Sequence, residues 1–339
     1  MGNSSRNLWK GLLAFLSVLL SPLAAATILT LPAPNELSAG LYNSFEVYSL
    51  DLLVQCAADP RCQPAGPLPV QSSPGQIADQ AVILTGSNGG NMDNTPSPFP
   101  NGSAVDNPFL TPSGNQGSAF QMLTSNEPGG AATGFTGDQI GSWEISISLL
   151  KSWLSGHDLV FLFDNNQQGN ETNQLLNIWA QARIVDANGN TVDGQCYEVS
   201  TLTGGCHGTT PALASDYLPI VGNFCVDKVT GASYGYGASN SNDCNAGDFF
   251  VTNNLGTNSA EFAAYQKDLD TAVNNVLYQD YFLSINVKYL QNNGGYEQLW
   301  ICSECDIAEK RLPEPGSLTL LGLGLVSMVY SLRKRRADV

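Results

Sequence analysis

The chain has 339 residues, enough for one large domain or two small ones, with 30 acidic against 14 basic side chains. Setting aside the two ends leaves 28 acids and 8 bases between Thr27 and Leu312, a body near −20. That charge excludes nucleic acid as a partner, because such binding neutralises phosphates with Lys and Arg. It also argues against unassisted binding to anionic lipid heads.

In chain order, Met1–Lys10 carries Arg6 and Lys10 and no acid, Gly11–Leu20 is apolar, and small residues follow. These are the regions of a secretory signal, and Ala24 and Ala26 suit cleavage after Ala26. Expected domains are a signal peptide at 1–26, a secreted β-rich body at 27–311 and a sorting tail at 312–339.

Ser44–Cys56 reads almost equally as strand and helix, and prolines from Pro60 onward end it. Residues 84–140 are rich in Gly, Asn, Pro and Ser and read as one long loop. Trp143–Ile147 alternates as a strand, Ser148–Ser155 reads as a short helix stopped by Gly156, and Asp158–Phe163 as a buried strand. Leu176–Val185 and Thr191–Ser200 form an expected hairpin about the turn 186–190. Residues 201–258 return to Gly, Asn and Ser. Ser259–Leu277 has the best helical spacing, and Tyr281–Leu290 with Tyr296–Cys302 is the clearest hairpin. There is no βαβ rhythm and no internal repeat. The expected fold is mainly β: an antiparallel β-sandwich with long Gly/Asn-rich loops, one or two helices and a C-terminal transmembrane helix at 317–332.

The cysteines are Cys56, Cys62, Cys196, Cys206, Cys225, Cys244, Cys302 and Cys305. An even count in an exported chain reads as disulfides. Spacing suggests the local pairs 56–62, 196–206, 225–244 and 302–305, although eight cysteines admit on the order of a hundred pairings. The CxxC at Cys302 also has a redox and a zinc reading, but it lacks a strand-to-helix context and a second ligand cluster.

No catalytic constellation stands out. His157 and His207 lie in no nucleophile motif and GxSxG is absent. Asp186, Asn188 and Asn190, with Asp193, form a weak calcium candidate, since Gly falls at the fourth position and no Glu at the twelfth; a plain hairpin turn is favoured. Asp243, Asn245 and Asp248 are weaker still. Trp143, Trp153, Trp179 and Trp300 read as core more readily than as a sugar platform, and Tyr234 and Tyr236 are the better candidates for exposure. No cofactor is implied.

At the C-terminus Pro313-Glu314-Pro315 precedes the apolar run Leu318–Leu332, and Arg333, Lys334, Arg335 and Arg336 follow. As a helix the run is about 24 Å long, barely a bilayer's hydrocarbon thickness. The four bases hold its end cytoplasmic by the positive-inside rule. This tail resembles the PEP-CTERM sorting domain in all three parts, with Leu312 where Val is common and three residues trailing the basic cluster. The resemblance implies recognition by an exosortase, cleavage near Pro313–Pro315, a transient inner-membrane stage and a Gram-negative producer of exopolysaccharide, with delivery to the surface or matrix. The expectation is therefore a non-enzymatic cell-surface or matrix protein. Alternatives are a carbohydrate-binding module for exopolysaccharide and a secreted hydrolase.

Overall fold

The computed structural model describes residues 28–34, 37, 39–66, 70, 82–86, 142–165, 175–208, 213–235, 237–252, 259–290 and 296–308. The expected transmembrane segment lies outside them; among the described residues no helix is long and apolar enough to cross a membrane.

The chain is mainly β. It begins with β1 (Leu29–Leu31), β2 (Ala39–Tyr42) and β3 (Phe45–Ser49), which runs into helix α1 (Leu50–Gln55). Ser49 makes that switch, its hydroxyl accepting from Leu52 N and capping the helix. Both readings of Ser44–Cys56 are thus realised in succession. β4 (Val82–Gly86) precedes β5 (Trp143–Ser146) and α2 (Ile147–Leu154), which ends at Ser155 in the left-handed region beside Gly156. Then come β6 (Val160–Asp164), β7 (Leu175–Val185), β8 (Thr191–Val199), β9 (Leu218–Val221), β10 (Asn223–Val226), β11 (Ser233–Tyr234) and β12 (Phe249–Thr252). The last elements are β13 (Phe262–Tyr265), α3 (Lys267–Asn274), β14 (Phe282–Leu290), β15 (Tyr296–Cys302) and β16 (Cys305–Ile307).

The two main sheets are antiparallel throughout. One has the order β2-β3-β13-β6-β15-β4; the other runs β5-β14-β7-β8, with β9 also paired to β7. A small sheet β11-β10-β12 and a parallel pair β1-β16 complete the described set. Residues of both large sheets share one core: Phe161, Phe163, Phe262 and Leu299 from the first, with Ile178, Ala180, Ile285 and Val287 from the second. The first sheet is covered on its other face too. There Val160, Leu162, Ala263 and Trp300 pack with Leu29, Leu31, Leu50 and Leu53. Burial on both faces explains why β6 reads VFLF without alternation. Each Phe buried in it contributes about 2–3 kcal/mol by the area it removes from water.

The sequence expectation of one helix over Ser259–Leu277 is corrected. Its first half is β13, buried along its whole length between β3 and β6, and only Lys267–Asn274 is helical. The FAAY run has helical spacing, but a central place in a sheet buries all four residues, where a helix would bury one stripe. Residues 201–258, rich in Gly, Asn and Ser, contain β9 to β12. The helices number three among the described residues, against one or two expected, because α1 emerges from the ambiguous segment.

Candidate functional site

The second sheet alternates strictly. Leu176, Ile178, Ala180, Ala182 and Ile184 of β7 enter the shared core, which turns Trp179, Gln181 and Arg183 to the opposite face. On that face Arg183 stands opposite Ser284, which stands opposite Glu144. Gln181 stands between Asn286 and Glu198, and Trp179 opposite Lys288. An outward sheet face with such side chains is ordinarily solvated. Here it is covered: Glu144, Glu198, Ser284, Gln181, Asn286, Lys288 and Trp179 are all buried.

Part of the cover is the segment after β8. It closes back through Cys196–Cys206, and Tyr217 packs on Trp179 and Leu290. At its centre Glu198 is completely inaccessible to solvent. Ser200 Oγ donates to its carboxylate at 2.7 Å, His207 N at 2.8 Å, Asn43 Nδ2 at 3.3 Å and Gln181 Nε2 at 3.4 Å. His207 Nδ1 lies 3.2 Å away, with its ring 37% exposed. Asn43 sits in the β2–β3 turn at φ 56°, donates to Gly205 O and accepts from Gly205 N. The cluster therefore joins a turn of the first sheet, the last residues of β8 and the covering loop. Along the same face, Ser142 and Ser284 donate to Glu144. Burial pushes the Arg183 guanidinium below its ordinary pKa, with Glu144 opposing.

A second cluster lies at the start of β6. Asp158 Oδ2 accepts from Ile307 N at 2.6 Å, Asp306 Oδ1 lies 3.0 Å from His157 Nδ1, and Asp270 Oδ1 accepts from Leu159 N at 2.9 Å. Burial, with the charges of Asp158 and Asp306, raises Asp270 to about 6 against the one backbone donor that lowers it. Burial also raises Asp158.

The residues singled out from the sequence fall as follows. The four disulfides are Cys56–Cys62, Cys196–Cys206, Cys225–Cys244 and Cys302–Cys305, the local pairs that spacing suggests. Asp186 accepts from Asn188 N, Asn190 N and Asn190 Nδ2, so its carboxylate is occupied in closing the β7–β8 turn. Asp243 accepts from Ser239 N and Asn240 N, whereas Asp248 accepts from Lys228 N and Tyr234 Oη. Among the described residues no group of three His, Cys, Asp or Glu is arranged to hold a metal. Trp179 and Trp300 are buried and Trp153 packs against the core. Tyr236, Ala24, Ala26, Pro313–Pro315 and Arg333–Arg336 lie outside the described residues. His157 and His207, which lie in no nucleophile motif, each meet a carboxylate. Glu198, Ser200, Gln181 and Asn43 were not singled out at all. The available signal was the alternation of β7 and β8, which places Gln181 and Glu198 on the face away from the core.

The family model described as "Domain of unknown function (DUF8239)" matches residues 29–288. The chain belongs to this DUF8239 family. The match begins at β1 and ends within β14. A second model, the PEP-CTERM protein-sorting motif, matches residues 312–336. That motif marks an exported protein sorted by an exosortase at the membrane and passed to the cell surface. No curated protein and no solved structure matches the chain.

Proposed function

We propose that this DUF8239 chain is a non-enzymatic, disulfide-braced protein of the cell surface or extracellular matrix, its two sheets forming a sandwich about the shared core. The observation that carries this is how its buried carboxylates are used. Glu198 accepts from its own sheet face, from the covering loop and from Asn43 in the β2–β3 turn, and Glu144 accepts from Ser142 and Ser284. Asp216 accepts from Leu213 N and Glu261 from Asn165 N. Ser200 donates to Glu198 and not to the imidazole of His207, so the pair is not arranged as a nucleophile with its base. Voids between the sheets are lined by apolar side chains such as Phe45, Phe161, Val199 and Leu299. A hydrolase of sugars needs two carboxylates facing across a cleft. A sugar-binding module needs exposed aromatic faces, and Trp179 and Trp300 are buried.

The test has two parts. Cell-derived protein analysed by intact mass should end near Pro313–Pro315 in cells with an exosortase, and should remain membrane-associated with Val339 in cells without one. The purified body, residues 27–312, should bind nothing on a glycan array and release no sugar from the producer's exopolysaccharide. Retention of Val339 in both cells would contradict the sorting; binding or release on polysaccharide would contradict the structural role.

A further inference from the structure

The strand β6 ends on polar residues that the fold buries. Asp164, its last residue, is 3% exposed, and Asn165, which follows, is 0% exposed. Glu261, the residue before β13, is 6% exposed. Its Oε2 accepts from Asn165 N at 2.8 Å. That nitrogen belongs to the peptide joining Asp164 to Asn165, so the Cα atoms of both residues lie within about 5 Å of the Glu261 carboxylate. Both side chains are short. Two carboxylates and one carboxamide are therefore held within about 9 Å of one another.

The backbone that carries them is fixed. Asp164 pairs with Gln298 of β15, Glu261 N donates to Phe163 O at 2.9 Å, and Leu50 N donates to Glu261 O at 2.9 Å. The strand end and the residue facing it are thus parts of the central sheet, a scaffold rigid enough to hold a site in shape.

The carboxamide supplies the deciding observation. Asn165 Nδ2 and Oδ1 are both buried and neither has a hydrogen-bond partner. A buried amide without partners is unfavourable, and two buried carboxylates close together add their mutual repulsion. Glu198, buried as deeply, is answered by hydroxyl, amide and backbone donors. At the end of β6 a cation answers both costs at once, by offsetting the charge and by taking the Asn165 oxygen as a ligand.

The chemistry of the three groups selects the ion. They offer oxygen ligands only, the set that hard cations prefer over zinc or copper. Calcium accepts roughly six to eight oxygens in flexible geometry, whereas magnesium demands a near-ideal octahedron and gives up its water reluctantly. Two consecutive residues and a third from a neighbouring strand, all shielded from solvent, suit the flexible shell.

We propose that Asp164, Asn165 and Glu261 bind a calcium ion that braces the end of β6 against the start of β13. Asn165 contributes Oδ1, the two acids contribute carboxylate oxygens, and backbone carbonyls or water complete the shell. The ion adds to the four disulfides as a brace on the body, and the inference does not depend on the sorting reading.

The experiment uses the full-length chain purified in detergent and stripped with EDTA. Isothermal titration with calcium chloride should give one site with a dissociation constant of about 0.1–1 mM, the range of extracellular calcium modules. Calcium at ten times that constant should lower the unfolding equilibrium constant in urea about tenfold. N165A and E261Q should each weaken binding by about tenfold or more, and D186N, in the β7–β8 turn, should leave it unchanged. N165D adds a third carboxylate: it should be less stable than wild type in EDTA, bind calcium about tenfold more tightly and gain more stability from it. A merely structural Asn165 would leave N165D equally weakened with and without calcium, and that result would overturn the proposal. So would a wild-type chain with neither heat nor a shifted urea midpoint, a response lost in D186N, or a response of equal size to magnesium. If N165A or E261Q fails to fold, the wild-type titration and N165D decide.

Discussion

Two carboxylate clusters, each with one histidine, are solved in opposite ways by this fold. Glu198 is a single buried acid supplied with hydroxyl, amide and backbone donors from three segments. The cluster at the start of β6 brings together three acids, Asp158, Asp270 and Asp306, with one backbone donor each from Ile307, Leu159 and Asp158, Asn274 Nδ2 also on Asp270, and His157 on Asp306. The first is a hub: removing its centre strands several buried donors at once. The second is a set of like charges held close, so adding a proton relieves it. The number of donors per acid, and not burial alone, decides which behaviour follows.

The largest expected effect is at the hub. E198A should cost about 3–5 kcal/mol of unfolding free energy in urea, because breaking a buried charged network leaves its partners uncompensated. A loss below about 1 kcal/mol would mean that Glu198 is not the organising group and would collapse the contrast. H207A should cost less, about 1–2 kcal/mol, since the backbone N–H of residue 207 can still reach Glu198; chemical denaturation of the two variants side by side orders them.

The acidic cluster is expected to show itself through pH. A folded pKa of about 6 for Asp270 lies above its unfolded value near 3.8. The folded state therefore holds more protons than the unfolded state between those values, so stability rises as pH falls through 6 toward 4. From pH 7 to pH 5 the gain is about 1 kcal/mol. D270N, which keeps an acceptor for Leu159 N, should flatten that slope, and an unchanged slope would assign the effect to another group. The smallest effect is at His157, whose contact with Asp306 is partly buried: H157A should change stability by less than about 1 kcal/mol. A larger loss there than at His207 would invert the comparison.

Much of the fold was legible where the physics is local. The β7–β8 hairpin is written in the alternation of Leu176–Val185 and in a turn whose Asp186 closes its own loop. The four disulfides join cysteines near in sequence, where loop closure costs least entropy. α2 begins at a serine cap and stops beside Gly156. The sorting tail is linear information that an enzyme reads along the chain, so no fold is needed to see it.

Tertiary structure decided what depends on distant neighbours. Phe262–Tyr265 became a strand because β3 and β6 flank it, although its own spacing is helical. Glu198 became a hub because Asn43 approaches it from the other sheet, 155 residues away in sequence. β16 found β1 at the opposite end of the chain, and a three-residue strand has no periodicity by which to announce itself. A side chain's identity limits which bonds it can make; only the packing of remote segments determines which partner arrives, and so whether a buried acid becomes a satisfied hub or a proton-sensitive cluster.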